Sequence, residues 1–175
     1  MPVTESVPSL QGAIVRLRPV RADDVAPLAD LLAHPAVARW WPGYDAERVR
    51  RETLHADDGT VSFVIEAEGR VAGLIQYWEE TEPDYRHAGI DIALHPDWHG
   101  RGLGTDALRT LARHLFDTVG HHRIVIDPAA GNERAISVYQ RVGFRPVGIM
   151  RRYERGADGT WHDGLLMDLL REDLR

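Results

Sequence analysis

The sequence has 175 residues, a length that indicates a single domain over residues 1–175 with room for a sizeable core. It contains no cysteine, which excludes disulfides, thiolate nucleophiles and cysteine-ligated zinc. The formal net charge of -6 argues against nucleic acid as a partner and is compatible with a cationic one, although many soluble proteins are mildly acidic.

The first half of the chain predicts one strand, two helices and a run of hairpin strands. Ile14 to Arg18 alternates apolar and polar residues, as a half-buried strand does. Asp23 and Asp24 open a helix that Pro35 ends. The apolar face of this helix comprises Val25, Leu28, Leu31 and Leu32. The other elements predicted here are a helix over Asp45–His55, strands over Val61–Glu66 and Val71–Trp78 joined by a hairpin at Glu68-Gly69-Arg70, and a strand over Ala88–Leu94.

The second half alternates helices and strands. Its predicted elements are a helix over Leu103–Phe116, a strand over Arg123–Asp127, a helix over Glu133–Val142 capped by Asn132 and ended by Gly143, and strands over Arg145–Arg152 and Trp161–Leu169 around the Asp158-Gly159 turn. Sequential hairpins favour antiparallel pairing, whereas strands that alternate with helices favour a parallel section. The order β-α-α-β-β-β-α-β-α-β-β therefore predicts a mixed sheet in an α/β domain.

The stretch from Trp98 to Thr105 carries three glycines at alternate positions between a strand and a helix. Such a turn exposes backbone N–H groups beside a helix N-terminus, which is a site for phosphate. Gly102 to Ala107 matches G-x-G-x-x-G/A, but seven residues separate the strand from Gly102, so the dinucleotide-binding context fails. No lysine follows as the P-loop pattern requires. A glycine turn without a ligand is the alternative.

Two motifs resemble those of the GNAT superfamily of N-acetyltransferases. Trp98 to Thr105 is similar to that family's coenzyme A pyrophosphate loop, and Asp127 to Phe144 is similar to its second cofactor motif. The resemblance covers Val15 to about Leu170, and His99 departs from it because the family commonly has Gln or Arg there. It implies a GNAT α/β fold: a mixed antiparallel and parallel central sheet flanked by helices, with a V-shaped splay between the central strands.

Finer features look like aminoglycoside 6'-N-acetyltransferases. They are Arg39-Trp40-Trp41, Gln76-Tyr77, Gly89 to Leu94, and Asp127-Pro128 with Asn132. The segment from Gly159 to Asp168 is also common in relatives that act on other amines.

The resemblance implies how acetyl-CoA is held. The strand ending at Leu94 would splay from its neighbour, so that its free backbone groups bind pantetheine and an N–H near Ile92 polarises the thioester carbonyl. Amides of the glycine turn would take the pyrophosphate, and Asn132 would hydrogen-bond the pantetheine arm or serve only as a helix cap. The implied cofactor-binding residues are Ile92, Ala93, Leu94, Arg101, Gly102, Leu103, Gly104, Thr105 and Asn132.

Asp91 and Tyr139 are the candidate catalytic residues. Strand alternation puts Asp91 on the face opposite Ile90 and Ile92, which the resemblance makes the substrate side, where a carboxylate can bind an ammonium group and accept its proton. The resemblance places the Tyr139 hydroxyl near the cofactor sulfur as proton donor to the thiolate. The alternatives are an Asp on a solvated strand face and a core tyrosine.

An acidic and aromatic set of residues is expected to bind the substrate: Trp40, Trp41, Gln76, Tyr77, Glu80, Asp91, Asp127 and Asp163. Carboxylates around a cleft attract a polycation, and tryptophans can contact sugars or cations. Ordinary core tryptophans and a solvated acidic loop are the alternatives. The pairs His121-His122 and His162-Asp163 lack metal-site spacing, so we expect surface or turn residues and no metal.

The sequence thus predicts an acetyl-CoA-dependent N-acetyltransferase acting on a small polycationic amine, most like aminoglycoside 6'-N-acetylation. The alternatives are another acceptor (a protein N-terminus, a polyamine or a siderophore precursor), a larger acyl group, or a coenzyme A-binding module without chemistry. Met1 to Gly12 has neither a basic start nor an apolar run, and no stretch approaches membrane-spanning length, so we expect a cytoplasmic protein without a membrane partner. Monomer and homodimer both stay open.

Overall fold

The computed structural model of the protein describes residues 7–175. Within that range eight strands form one sheet: β1 Leu10–Gln11, β2 Arg16–Pro19, β3 Val61–Ala67, β4 Arg70–Glu80, β5 His87–Leu94, β6 Arg123–Ile126, β7 Arg145–Arg155 and β8 Trp161–Leu170. Their order across the sheet is β1-β2-β3-β4-β5-β6-β8-β7. The segment Met1 to Gly12, in which no signal peptide is expected, is described only in part, because residues 1–6 lie outside this range.

Five α-helices lie within the described residues: α1 Val25–Ala33, α2 Pro35–Ala38, α3 Ala46–Leu54, α4 Leu103–His114 and α5 Glu133–Val142. One π turn over Leu115–Val119 continues α4. Between residues 7 and 175, no helix is long and apolar enough to cross a membrane.

The predicted order of elements is confirmed, with β1 and α2 as additions. Pro35 follows the end of α1 as predicted, but it also opens α2, where a proline loses no helical hydrogen bond. Helix α4 stops at His114 and passes into the π turn rather than continuing to Phe116. Helix α5 runs over the predicted residues, with Asn132 as its cap and Gly143 at its end.

The sheet packs against helices on both faces because successive residues of its central strands point in opposite directions. In β4, Ile75 joins a buried cluster that contains Leu108 of α4, whereas Leu74 joins a second cluster that contains Leu28 of α1. In β5, Ile90 belongs to the first cluster and Ala93 to the second, as the sequence alternation predicts. The result is a three-layer arrangement with the sheet in the middle.

The central strands β5 and β6 form the parallel pair of the sheet, and they pair only at Ala88↔Ile124 and Gly89↔Val125. On its other side β5 stays paired with β4 through to Leu94. From Ile90 onward the β6 side of β5 is therefore open, which confirms the predicted splay. Gly89 lies where the strands begin to part, and a Cβ there would be 2.2 Å from the Trp78 ring, so the close packing requires glycine.

His121 is buried rather than exposed, which corrects the expectation that it lies at the surface or in a turn. Its exposed fraction is 4%, and its ring contacts the carboxylate of Glu79 at 2.7 Å. Burial lowers the pKa of His121, and the Glu79 carboxylate opposes that effect.

The N-terminal segment is fastened to α4 by a buried carboxylate. Asp106, in the first turn of α4, accepts the backbone N–H groups of Ala13, Ile14 and Val15 at 3.0, 2.8 and 3.0 Å. These bonds join residues about ninety positions apart, and they fix the start of the helix to the first strands of the sheet.

We expect Asp106→Ala to destabilise the fold by about 3 kcal/mol, because it leaves three backbone donors without their acceptor. Asp117→Ala is the matched control, since Asp117 forms only an exposed pair with Arg171, worth at most about 1 kcal/mol. Urea unfolding of both variants measures the difference. Equal losses in the two variants would contradict the anchoring role of Asp106.

Candidate active site

A cleft of about 1090 Å³ opens along the splay between β5 and β6. Its walls come from the segment between α2 and α3, the open edge of β5, the start of α4, and the β6–α5 loop with α5. Fourteen residues singled out from the sequence line this cleft: Trp40, Trp41, Gln76, Asp91, Ile92, Ala93, Leu94, Gly102, Leu103, Gly104, Thr105, Asp127, Asn132 and Tyr139.

The N-terminus of α4 faces the cleft with free backbone donors. Gly102 caps the helix in a left-handed conformation, φ +82°, which glycine adopts without strain. The first helical hydrogen bond runs from the Asp106 N–H to the Gly102 carbonyl at 3.1 Å. The N–H groups of Leu103, Gly104 and Thr105 therefore have no acceptor within the helix, and the helix dipole adds to their attraction for an anion. This arrangement fits a pyrophosphate.

Positive side chains near this end come from α5 rather than from the glycine turn. Arg134 and Arg141 both line the cleft. The Arg101 side chain instead pairs with Glu68 at 2.7 Å and lies 4.5 Å from the centre of the Trp98 ring. The Arg101 side chain is therefore turned away from the cleft, and the backbone N–H of Arg101 is what remains for the predicted phosphate contact.

His99 ties the glycine turn to the end of β5. Its Nε2 lies 3.1 Å from the Leu94 carbonyl, and burial together with the positive charge of Arg134 lowers the pKa of the ring. A neutral ring with its proton on Nε2 donates to that carbonyl. At the position where it departs from the family pattern, His99 thus serves to connect two walls of the cleft.

Asn132 and Tyr139 project from α5 into the cleft. The Asn132 Oδ1 accepts the Ala135 N–H at 3.3 Å, so the cap is present, and its cofactor role stays a prediction. Tyr139 is 7% exposed and packs on Phe144, with ring centres 6.1 Å apart. Burial raises the pKa of Tyr139, and the charges of Asp91 and Asp127 raise it further, so the phenol keeps its proton at neutral pH.

Asp91 lies half-buried on the cleft face of β5, directly across from Gln76 on β4. Burial raises the pKa of Asp91 to about 6, and the charge of Asp127 adds to the shift while the Gln76 side chain opposes it. Asp91 is therefore mostly ionised at neutral pH, yet it is more basic than an ordinary aspartate. Such a group can accept a proton from a bound ammonium.

Two more carboxylates share this end of the cleft. Burial raises the pKa of Asp127, although a 2.5 Å hydrogen bond from the Tyr153 hydroxyl opposes that effect. Burial and the charge of Asp127 raise the pKa of Glu154, which lines the cleft from β7. Three neighbouring negative groups make this end attractive to a cation.

The wall formed by the segment between α2 and α3 is aromatic and is braced by α3. Trp41 and Tyr44 lie with ring centres 5.6 Å apart, and both line the cleft. The Tyr44 hydroxyl donates to Glu52 at 2.7 Å, and Arg48 donates to the same carboxylate at 2.8 Å. Arg48 also lies 3.9 Å from the centre of the Tyr44 ring and donates to the Pro42 carbonyl at 3.0 Å. These contacts hold the loop between α2 and α3 in one position.

Tyr77 does not line the cleft, which corrects its predicted place in the substrate site. It follows Gln76 on β4, and strand alternation sends it into the opposite layer. There it is 8% exposed and stacks on Phe63, with ring centres 6.4 Å apart.

Glu80 and Asp163 also lie outside the cleft lining. Glu80, the last residue of β4, accepts the Glu82 N–H at 2.9 Å and so shapes the following turn. Asp163 is exposed and accepts the Arg152 N–H at 2.8 Å. Both carboxylates thus lie outside the cleft, and their expected contact with the substrate stays a prediction.

The cleft residues that were not singled out from the sequence include five with polar or charged side chains that the site description uses: Tyr44, Arg48, Arg134, Arg141 and Glu154. Arg134 and Arg141 are seven positions apart on a helix, a spacing that puts them on one face and could have revealed them. Arg48 is four positions from both Tyr44 and Glu52, an i,i+4 spacing that could have revealed it, whereas Glu154 follows an irregularity in β7 and carries no local signal.

Comparisons with known proteins agree with this architecture. The acetyltransferase (GNAT) domain family matches residues 15–145. The chain is 28% identical over 159 residues to the spermidine N(1)-acetyltransferase of Escherichia coli strain K12, an alignment that covers 87% of this chain and 84% of that protein. It is 29% identical over 153 residues to the aminoglycoside N(6')-acetyltransferase type 1 of Klebsiella pneumoniae, with 77% and 75% covered. The structure of Mycobacterium smegmatis RimJ in complex with CoA-disulfide matches with a TM-score of 0.80 and 29% identity, covering 98% of this chain and 90% of that one.

A pair of glycine variants tests the α4 N-terminus as the phosphate site. Gly102 and Gly120 have nearly the same left-handed φ, +82° and +84°, so alanine at either position costs similar stability, about 1 kcal/mol. Of the two, Gly102 caps α4 at the cleft. We expect Gly102→Ala to raise the Kd for coenzyme A about tenfold and Gly120→Ala to leave it unchanged, as measured by calorimetry. Equal Kd values in the two variants would contradict the assignment.

Proposed function

The chain belongs to the GNAT superfamily of acetyltransferases, and from that premise we propose that it acetylates a primary amine of a small polycation, with the 6'-amine of an aminoglycoside as the first candidate. As a GNAT protein it is an acetyl-CoA-dependent N-acetyltransferase. Its need for acetyl-CoA also supports a cytoplasmic location.

The observation that carries the proposal is the opposite charge of the two ends of the cleft. The α4 N-terminus lies beside Leu94, where a Cβ on Gly104 would be 3.2 Å from the Leu94 side chain. Asp91 is three residues, roughly 10 Å, back along β5. One end thus offers helix amides and Arg134 to an anionic cofactor, and the other offers Asp91, Asp127 and Glu154 to a cation.

The aromatic wall favours an acceptor with rings over a linear one. Trp40, Trp41 and Tyr44 all contribute aromatic side chains to the lining of the cleft. Amino sugars have apolar ring faces that pack on aromatic side chains and ammonium groups that aromatic rings attract. Spermidine offers only the ammonium groups, so it is the second candidate.

The residues divide the chemistry of amine acetylation between them. Bound acetyl-CoA supplies an acetyl group that is already activated as a thioester. The open edge of β5 offers N–H groups that can polarise a carbonyl oxygen. Asp91 binds the ammonium and takes its proton, which frees the lone pair for attack. Tyr139, whose pKa is raised, keeps a proton that it can give to the leaving thiolate.

Thiol release from acetyl-CoA, measured against an acceptor panel, tests the proposal. The panel comprises kanamycin, spermidine, n-butylamine and a peptide with a free N-terminus. We expect kcat/KM to be highest for kanamycin and at least about a hundredfold lower for the peptide, which lacks the second cation. A preference for the peptide would replace the proposed acceptor class. Coenzyme A binding without turnover of any amine would favour a non-catalytic module.

We expect Asp91→Asn to lower kcat/KM for kanamycin about 10²- to 10⁴-fold at pH 7, because the amide cannot accept the ammonium proton. In the wild type, kcat/KM should rise as pH passes through about 6, where Asp91 ionises, and the variant should lack this rise. The deficit should shrink at high pH, where more of the acceptor is already neutral. A deficit that is constant from pH 6 to 9 would mean that Asp91 only positions the acceptor.

The same variant has a stability signature that is independent of turnover. The folded pKa of Asp91 is above its unfolded value, so the stability that the protonated carboxyl contributes is complete below about pH 4 and is lost as pH rises through about 6. Asp91→Asn should therefore be more stable than the wild type by about 1 kcal/mol at pH 8, after allowance for solvent contact, and no more stable at pH 4. Thermal unfolding at both pH values measures this.

A further inference from the structure

Strand β7 contains a bulge beside the cleft. Met150 pairs with Gly164 of β8, and the next pair along the ladder is Glu154 with His162. Four steps along β7 thus correspond to two along β8, so β7 carries two extra residues between these pairs. A bulge of this kind bends its strand and redirects the side chains that follow.

The bulge contains a strained residue that Asp163 holds. Arg152 has φ +49°, a left-handed conformation that side-chain-bearing residues seldom adopt. Its N–H donates to the Asp163 Oδ1 at 2.8 Å. Because a strained conformation persists only when surrounding contacts fix it, this hydrogen bond is a direct candidate for what fixes the bulge.

The residues after the bulge reach the acidic end of the cleft. Tyr153 donates from its hydroxyl to the Asp127 Oδ2 at 2.5 Å, and Glu154 lines the cleft. The backbone of Asp163 contributes as well, since its carbonyl accepts the Ala130 N–H at 2.8 Å in the loop that follows Asp127. Asp163 therefore contacts the bulge through its side chain and the loop after Asp127 through its backbone. Tyr153 and Glu154 lie beside that loop.

We propose that Asp163 is a positioning residue for the acceptor: through the Arg152 N–H it fixes the β7 bulge that directs Tyr153 to Asp127 and Glu154 into the cleft. The proposal rests on the proposed function, because it assigns Glu154 to binding of the cationic acceptor. Asp163 itself stays outside the cleft and does not touch the acceptor. Its carboxylate acts as a hydrogen-bond acceptor, so its negative charge is not what the site requires.

Two substitutions at Asp163 separate this role from direct binding by charge. Asp163→Ala removes the acceptor of the Arg152 N–H, and we expect the KM for kanamycin to rise about tenfold while the KM for acetyl-CoA stays the same. Asp163→Asn keeps an Oδ1 that can accept the same N–H, so it should restore the KM to within about twofold of the wild type. Asp58→Ala is the control, since Asp58 accepts the Thr60 N–H at 2.9 Å in a distant turn, and it should leave both KM values unchanged.

A double-mutant cycle with Glu154→Gln tests the path. Glu154→Gln leaves the bulge intact, and we expect it to raise the KM for kanamycin about tenfold and to change the KM for n-butylamine, which has no second cation, less than twofold. If Asp163 acts through Glu154, the double variant Asp163→Ala/Glu154→Gln should be no worse than the worse single variant. Calorimetric Kd values for kanamycin, with coenzyme A bound, repeat the comparison without turnover.

Three results would overturn the proposal: an unchanged kanamycin KM in Asp163→Ala, an Asp163→Asn variant as impaired as Asp163→Ala, or additive effects in the cycle. Each leaves the proposed function intact, because the wild type still acetylates kanamycin. A wild type that neither binds nor acetylates kanamycin contradicts the proposed acceptor class itself. The two failures are therefore distinguishable in one set of measurements.

Discussion

The interruption of pairing between β5 and β6 is the constraint on which the rest of the site depends. Backbone N–H and C=O groups inside a protein need partners, and a strand left open on one side has a row of them unsatisfied. Here the opening starts after Gly89, where the Trp78 ring leaves no space for a side chain, and it continues to Leu94. The unpaired edge is available to an extended ligand that can satisfy it, as the pantetheine arm of a coenzyme A can. The sheet thereby supplies both the floor of the cleft and its first binding groups.

Charge then distinguishes the two ends of this opening. The amides and dipole of α4 favour an anion at the Leu94 end, and the carboxylates on β5 and after β6 favour a cation at the other end. The carboxylate arrangement has a cost in stability, since burial and mutual repulsion raise the pKa of Asp91 to about 6. A half-buried cleft carboxylate whose pKa is raised in this way is a candidate for proton transfer. The free energy that offsets this cost comes from elsewhere in the molecule, in particular from burial of the two apolar layers that cover the sheet.

Local sequence patterns predicted those parts of the structure that local interactions determine. Helix α5 has its cap, its apolar face and its terminal glycine within twelve consecutive residues, and its bounds agree with the prediction. The left-handed Gly102 and the helix that follows it are equally local. Tyr77 shows the limit of the resemblance, which groups it with Gln76 at the acceptor site, whereas strand alternation puts the two side chains on opposite faces and Tyr77 in the core. The Asp106 anchor and the β7 bulge join residues from separate segments, and nothing adjacent in the sequence encodes them.

The same contrast between local and long-range features distinguishes the two halves of the cleft. The half of the cleft that we assign to coenzyme A is built from contiguous segments, the end of β5 with the glycine turn and the start of α5, and both lie within residues 15–145, which match the family. Part of the half that we propose for the acceptor comes from the β7–β8 hairpin, and Glu154 and Asp163 lie beyond that matched region. A bulge that shifts by one residue, or a loop braced differently on α3, would present other side chains to the acceptor without disturbing the splay. The fold can therefore keep one cofactor site while its acceptor changes. For this reason the acceptor amine has to be identified from the residues of this cleft and not from membership of the family.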